Sequence, residues 1–215
     1  MLVRHELEEM NCERQWLVLL VLTSFVVTSS ADVRIAALNG HNYYRNLEAT
    51  QENVANMNAL VWSNELANRA YQWAARCRWG HTSTRDMGEN LYYSYPRNMA
   101  DDVYVYRALK SWMDEKRLNW DKSFSCCSKS YSCCHYTQVV SSKSQSVGCA
   151  VVPCSKLYDE TGFRAIATNA AYVACFYSPM GNMVYNGDPR PYRYGPPCTQ
   201  CPRGCSRGEN LCSTL

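Results

Sequence analysis

Leu66, Ala70, Trp73 and Cys77 recur at spacings of four, three and four, the period of a helix with one buried stripe, and Ser63 ahead of Asn64-Glu65 supplies an N-cap. The Trp73 side should pack inward, and the end of the helix should carry Cys77 and then His81 into a loop. A further helix is read from Asp101, another cap residue, through Val103, Tyr106, Leu109 and Trp112-Met113 to Asp114-Glu115. Acidic residues late in a helix oppose its macrodipole by about 0.3 to 1 kcal/mol, so some other group should recruit them. Upstream, ADVRIAALNGHNYYRNLEA sets His41 and Arg45 four apart, on one face if the stretch is helical.

After His135 the period changes. SVGCAVV (146–152) and AYVACFYS (171–178) alternate or run apolar, as strands do. Helices followed by strands, without βαβ alternation, predict an α+β fold or an α-β-α sandwich. From Pro189 the chain is rich in Pro, Gly, Arg and Cys and has no apolar period, so only disulfides should order it.

Cysteine usage changes the picture most. There are 13 in 215 residues, a density that reads as a disulfide framework made in an oxidising compartment. Trp16 to Val27 is an uncharged apolar run of 12 residues between Arg14 and the small residues of TSSA. It falls short of the roughly 20 residues that span a bilayer and reads as a signal peptide over 1–31, cut after Ala31. Glu6, Glu8, Glu9 and Glu13 make its leading segment unusually acidic, translation from Met10 would give a more ordinary leader, and a short signal-anchor is the rival reading. Cleavage removes Cys12 and leaves an even number of cysteines. The remaining chain suits one domain over 32–188 and a cysteine-rich tail over 189–215. A secreted, extracellular protein with no transmembrane anchor after cleavage is expected. The formal net charge is +3 with no long basic run, which argues against a nucleic-acid partner. No Asn-x-Ser/Thr acceptor occurs.

With these pieces in order, the chain resembles the CAP superfamily of cysteine-rich secretory proteins, insect venom allergen 5 and plant pathogenesis-related 1 proteins. The resemblance covers 34–186 and is carried by HNYYR (41–45), WSNELANRAYQWAARC running to His81, GENL (88–91), SWMDE (111–115), HYTQVV (135–140), VGCA (147–150) and YVACFYSPMGN (172–182). It implies a three-layer α-β-α sandwich on a mainly antiparallel central sheet. The tail resembles the hinge that follows this domain in cysteine-rich secretory proteins, and venom-allergen-like proteins of parasitic worms are similar in plan. Two positions depart from the family pattern: Ser141 stands where Trp is usual, and Phe176 where a polar residue is usual.

The resemblance also implies a shallow cleft lined by His81, Glu89, Glu115 and His135. Two neutral imidazoles converging with carboxylates suit Zn²⁺, so no cofactor is required but zinc is a candidate. The bland alternative is that both histidines simply hydrogen-bond the glutamates as a structural network. His41 and Arg45 are read as cleft support, anchoring their helix to the sheet and cleft wall. Family bridges map to Cys77–Cys154 and Cys149–Cys175. Cys126, Cys127, Cys133 and Cys134 should pair within their own loop in unassigned partners, an oxidising compartment favouring disulfides over a zinc site. Cys198, Cys201, Cys205 and Cys212 should pair among themselves in alternation.

Tyr92, Tyr93 and Tyr95 follow GENL and could form a lipid-binding loop, since the family includes sterol and fatty-acid binders; core packing plus a partly exposed loop is the alternative. No HExxH occurs, and Ser83 and Thr137 have no separate warrant as nucleophiles. The expected function is therefore a non-enzymatic binding module for a lipid, a sterol or an extracellular protein. A metal-dependent hydrolase and a pure protein-interaction effector are the alternatives.

Overall fold

The computed structural model describes residues 33–84, 86–119, 133–183, 188, 190–206 and 208–214. The leader at 1–31, Cys126 and Cys127 lie outside the described residues. Within 33–214 the elements are helix α1 (33–51), strand β1 (Val61–Trp62), α2 (Asn64–Ala74), β2 (Gly88–Ser94), α3 (Asp101–Asn119), α4 (Cys134–Val139), β3 (Ser146–Tyr158) and β4 (Ala165–Ser178). The sheet order is β1-β3-β4-β2. Both long pairings are antiparallel, and only the short β1 runs parallel, to β3.

The long apolar run of the last strand has a direct cause. Its side chains alternate between two cores: Ala171, Val173, Cys175 and Tyr177 join α1, α3 and α4 on one face, while Ala170, Tyr172, Ala174 and Phe176 join α2 on the other. A central strand covered on both faces has no polar side to show. This gives the expected three-layer α+β sandwich, with α2 the one helix on its side among the described residues.

Capping follows the sequence at α2, where Ser63 Oγ accepts the Leu66 N–H at 3.2 Å. That helix start lies against the sheet, and a Cβ at Gly148 would collide with the backbone of Ser63 and Ala67. The glycine of VGCA is thus a packing requirement. Cys77–Cys154 ties the end of α2 to β3, and Cys149–Cys175 joins β3 to β4 at directly paired positions. Cys133 and Cys134 are also disulfide-bonded.

The tail pairs Cys198–Cys205 and Cys201–Cys212, in alternation as expected. Disulfides are not its only source of order, however. Backbone bonds run between Ala55 N and Arg193 O (2.8 Å), Gln200 N and Ala55 O (3.0 Å), Cys212 N and Met57 O (2.7 Å), and Ala59 N and Cys212 O (3.0 Å). Tyr192 and Leu211 enter the larger core. The turn at 53–59 presents backbone groups that no strand ladder uses, and an aperiodic tail can satisfy them without any hydrophobic period.

Candidate binding cleft

Glu115 sits one turn before the end of α3 and points at the start of α4. Its Oε1 lies 2.6 Å from His135 Nδ1, and its Oε2 accepts the N–H groups of His135 at 3.1 Å and Tyr136 at 3.2 Å. The residue before α4, Cys133, makes no side-chain cap bond. Glu115 therefore caps α4 from a different helix, which explains an acidic residue late in α3: it is unfavourable at one helix end and favourable at the next. The His135 ring stacks on Trp112, centroids 6.1 Å apart and 15° from coplanar. Trp112 Nε1 in turn donates to Leu91 O at 3.1 Å, fixing that stack beside the edge strand β2.

His81 follows α2, where Trp73 Nε1 donates to Gly80 O at 3.0 Å. Its Nδ1 lies 2.5 Å from Glu89 Oε1, and the Glu89 carboxylate also accepts the Thr82 N–H, 3.1 Å from Oε2. The bond to Glu89 raises the His81 pKa, against the opposing effect of burial. The ring is 65% exposed and the carboxylate 7%, so Glu89 holds the buried end of the pair.

The structure thus brings the four residues together two by two. Among the described residues no hydrogen bond or ion pair joins the pairs, and no group of three or more His, Cys, Asp or Glu is placed to hold a metal ion. Strand alternation is the reason. Met87 and Leu91 flank Glu89 on the α2 face, whereas Asn90 points to the other face, donating to His135 O at 3.0 Å and Tyr177 Oη at 3.3 Å. Among the described residues the four thus stand as two carboxylate–imidazole pairs, not as one cluster of metal-ligating groups. Each pair instead has a carboxylate on Nδ1, the outer partner that orients a metal-binding imidazole, with Nε2 as the ring's other nitrogen.

His41 and Arg45 anchor α1. His41 is fully buried, and burial lowers its pKa to about 4. The neutral ring donates from Nδ1 to Ala37 O at 2.6 Å and accepts the Tyr177 hydroxyl at Nε2, 2.8 Å. Arg45, also fully buried and lowered to about 9 by desolvation, stays charged at neutral pH. It donates to the carbonyls of Asn58 (2.8 and 2.6 Å), Val139 and Ser141 (both 2.8 Å). Ser141 serves Arg45 through its main chain.

Sequence reasoning missed Trp112, Asn90 and Tyr177. Asn90 adjoins Glu89 in GENL and Trp112 lies three residues before Glu115 in SWMDE, so both sat inside motifs already singled out. Tyr177 likewise lies inside YVACFYSPMGN, where the sequence marks it only as part of a strand.

The tyrosines after GENL divide by face. Tyr92 packs on the larger core. Tyr93 stacks with Tyr95, centroids 6.3 Å apart and 11° from parallel, and meets Trp79 edge-on at 4.8 Å. Tyr95 is 59% exposed. The result is an aromatic ladder open to solvent at one end.

Comparison with known proteins agrees with this architecture. Residues 38–177 match the sequence profile of the CAP, or cysteine-rich secretory protein, family. The chain is 33% identical to cysteine-rich secretory protein 2 of Cavia porcellus over 196 residues, covering 87% of this chain and 71% of that protein. It is 34% identical to human peptidase inhibitor 16 over 176 residues, 81% of this chain, and spans only 35% of that protein. Among solved structures, NaASP2 crystallised with Zn²⁺ superposes with a TM-score of 0.70 at 25% identity, covering 85% of this chain and 95% of the other. BmVAL-1 gives the same TM-score at 23% identity, over 86% of this chain and 95% of the other. Among the described residues no helix is long and apolar enough to cross a membrane.

Proposed function

This chain belongs to the CAP family of cysteine-rich secretory proteins, and on that footing we propose that it is a secreted, non-enzymatic module that binds a flat apolar ligand of the sterol type. The observation that carries the reading is the Trp79–Tyr93–Tyr95 ladder. A stacked pair of phenol rings backed by an indole offers an apolar platform with polar rims, suited to a fused-ring lipid with one hydroxyl. Disulfides at the end of α2 and across β3 and β4 hold the platform rigid.

Binding is preferred to hydrolysis for a physical reason. Each cleft histidine is committed through Nδ1 to a glutamate, and no serine, threonine or cysteine side chain is hydrogen-bonded to either ring among the described residues. A general base without a nucleophile or a positioned substrate is not an active site. A divalent ion, where one is carried, would be held through His81 or through His135, with Glu89 or Glu115 orienting the ring. Support for that part is the carboxylate on each Nδ1. The division into a leader at 1–31, a CAP domain over 32–188 and a hinge-like tail over 189–215 belongs to the same proposal.

The test is cholesterol binding by delipidated full-length protein. Tyr93→Ala with Tyr95→Ala should weaken it by at least about tenfold, whereas Tyr43→Ala, at an exposed tyrosine on α1, should leave it unchanged. Equal affinity in the double variant and the parent would end the sterol reading.

A further inference from the structure

On the same sheet face as the aromatic ladder, but at the opposite end of β2, lies a recess of about 300 Å³. Its floor is Met87 and Phe176, 6% and 1% exposed. One wall is α2, which presents Arg69 and Trp73, continued by Arg76 in the turn that follows the helix; the rim opposite carries Thr82, Ser83 and Thr84. We propose that this recess binds a small aromatic carboxylate, with the ring on the Met87–Phe176 floor and the anion between Arg69 and Arg76.

Three features select that chemistry. The floor combines a thioether with an aromatic ring, and the Trp73 wall adds a second, a surface that favours an aromatic guest over a saturated chain. The volume lies at the lower end of small-molecule sites, enough for one or two rings and too small for a sterol. The charges are unbalanced in the anion's favour. Arg76 stands 4.3 Å over the Trp73 ring, so its charge is held over an apolar wall; among the described residues no carboxylate pairs with it. Arg69 already holds one carboxylate at the rim, Asp86 Oδ2 at 2.9 Å, with the two side chains 33% and 56% exposed. An exposed pair of this kind is weak and exchangeable. Asp86 thus marks where a carboxylate sits on Arg69 and competes with an incoming one. The hydroxyls of Thr82 and Thr84, hydrogen-bonded to each other at 3.0 Å, make the far side polar but neutral.

Calorimetry with 1-naphthylacetate and its uncharged analogue 1-naphthylacetamide tests the inference on the full chain. The acid should bind at least about tenfold tighter than the amide, the worth of one charge-assisted contact. Arg76→Gln should erase that difference. Asp86→Asn, which frees Arg69, should tighten the acid several-fold and leave the amide alone, a gain that misfolding cannot produce. Equal binding of acid and amide, binding of neither, or indifference of the acid to Asp86→Asn would overturn the inference. So would loss of naphthylacetate binding in Tyr93→Ala, because the ring would then be docking on the ladder; a failure of cholesterol binding alone leaves this site standing.

Discussion

Glu115 holds His135 twice, by its imidazole Nδ1 at 2.6 Å and by its main-chain N–H at 3.1 Å. One carboxylate therefore sets both the start of α4 and the orientation of the ring. Position and chemistry of this histidine are coupled: α4 cannot fray without releasing the ring, and the ring cannot turn without losing the carboxylate.

Glu115→Ala should accordingly lower stability by about 1 to 2 kcal/mol, the cost of a lost cap together with a lost side-chain bond. Glu115→Gln keeps a carbonyl acceptor for one N–H and should lose less. Urea denaturation of the two variants checks the order; an alanine variant as stable as the parent would mean that α4 does not depend on this cap.

Burial of His41 makes stability depend on pH in a definite direction. Its folded pKa is about 4 against 6.5 for the free side chain, so below 6.5 the unfolded chain takes up a proton that the folded protein refuses. The contribution of this residue is intact above pH 6.5 and is lost as pH falls towards 4, by on the order of 3 kcal/mol in all. His81, raised by Glu89, works the other way: its contribution is present below its unfolded value and lost as pH rises through the folded one, and exposure to solvent keeps it small. Urea midpoints measured from pH 7 to 4 should fall in the parent and fall less steeply in His41→Gln. Identical slopes would assign the acid sensitivity to other groups.

The layers were legible because periodicity reports them directly. Ser63 and the Leu66–Ala70 stripe mark α2, and a two-sided apolar run marks the central strand β4. The pairing of Cys77 with Cys154 and of Cys149 with Cys175 followed from family resemblance, not from spacing. What sequence could not show was the division of the cleft. Glu89 and Asn90 are neighbours in GENL, yet strand alternation sends one to His81 and the other to the carbonyl of His135, and which elements cover the two faces of β2 is set by the fold. The order of the tail was hidden for a similar reason, since backbone bonds to 53–59 leave no side-chain pattern.

Tyr192 anchors that tail to the body. Its hydroxyl donates to Glu48 Oε1 at 2.8 Å, the same oxygen that accepts Tyr136 Oη at 2.6 Å, while Lys116 Nζ pairs with the carboxylate at 2.9 Å. Glu48 is 2% exposed, so each donor offsets the cost of burying its charge. Tyr192→Phe should cost about 1 to 1.5 kcal/mol and speed hydrogen exchange at the amides of Ala55 and Cys212, which bond to the opposite segment. Unchanged exchange at those two amides would show that the disulfides alone fix the tail.

Zinc titration distinguishes a shared centre from separate ones. A single ion gripped by all four residues requires His81 and His135 to converge, and then either alanine substitution alone should abolish binding. In the structure the imidazoles are held separately, His81 by Glu89 of β2 and His135 by Glu115 of α3, each with a carboxylate on Nδ1, so each imidazole should offer one ligand independently through Nε2. Single-ligand sites bind weakly, because a tight zinc site needs three or four protein ligands. Calorimetry of the parent should therefore show weak binding, His81→Ala and His135→Ala should each remove part of it, and the double variant should remove the rest. Complete loss in either single variant would demonstrate a shared ion and require β2 and α4 to move together when metal binds, while unchanged binding in the double variant would place zinc elsewhere on the protein and leave both histidines as structural partners of their glutamates.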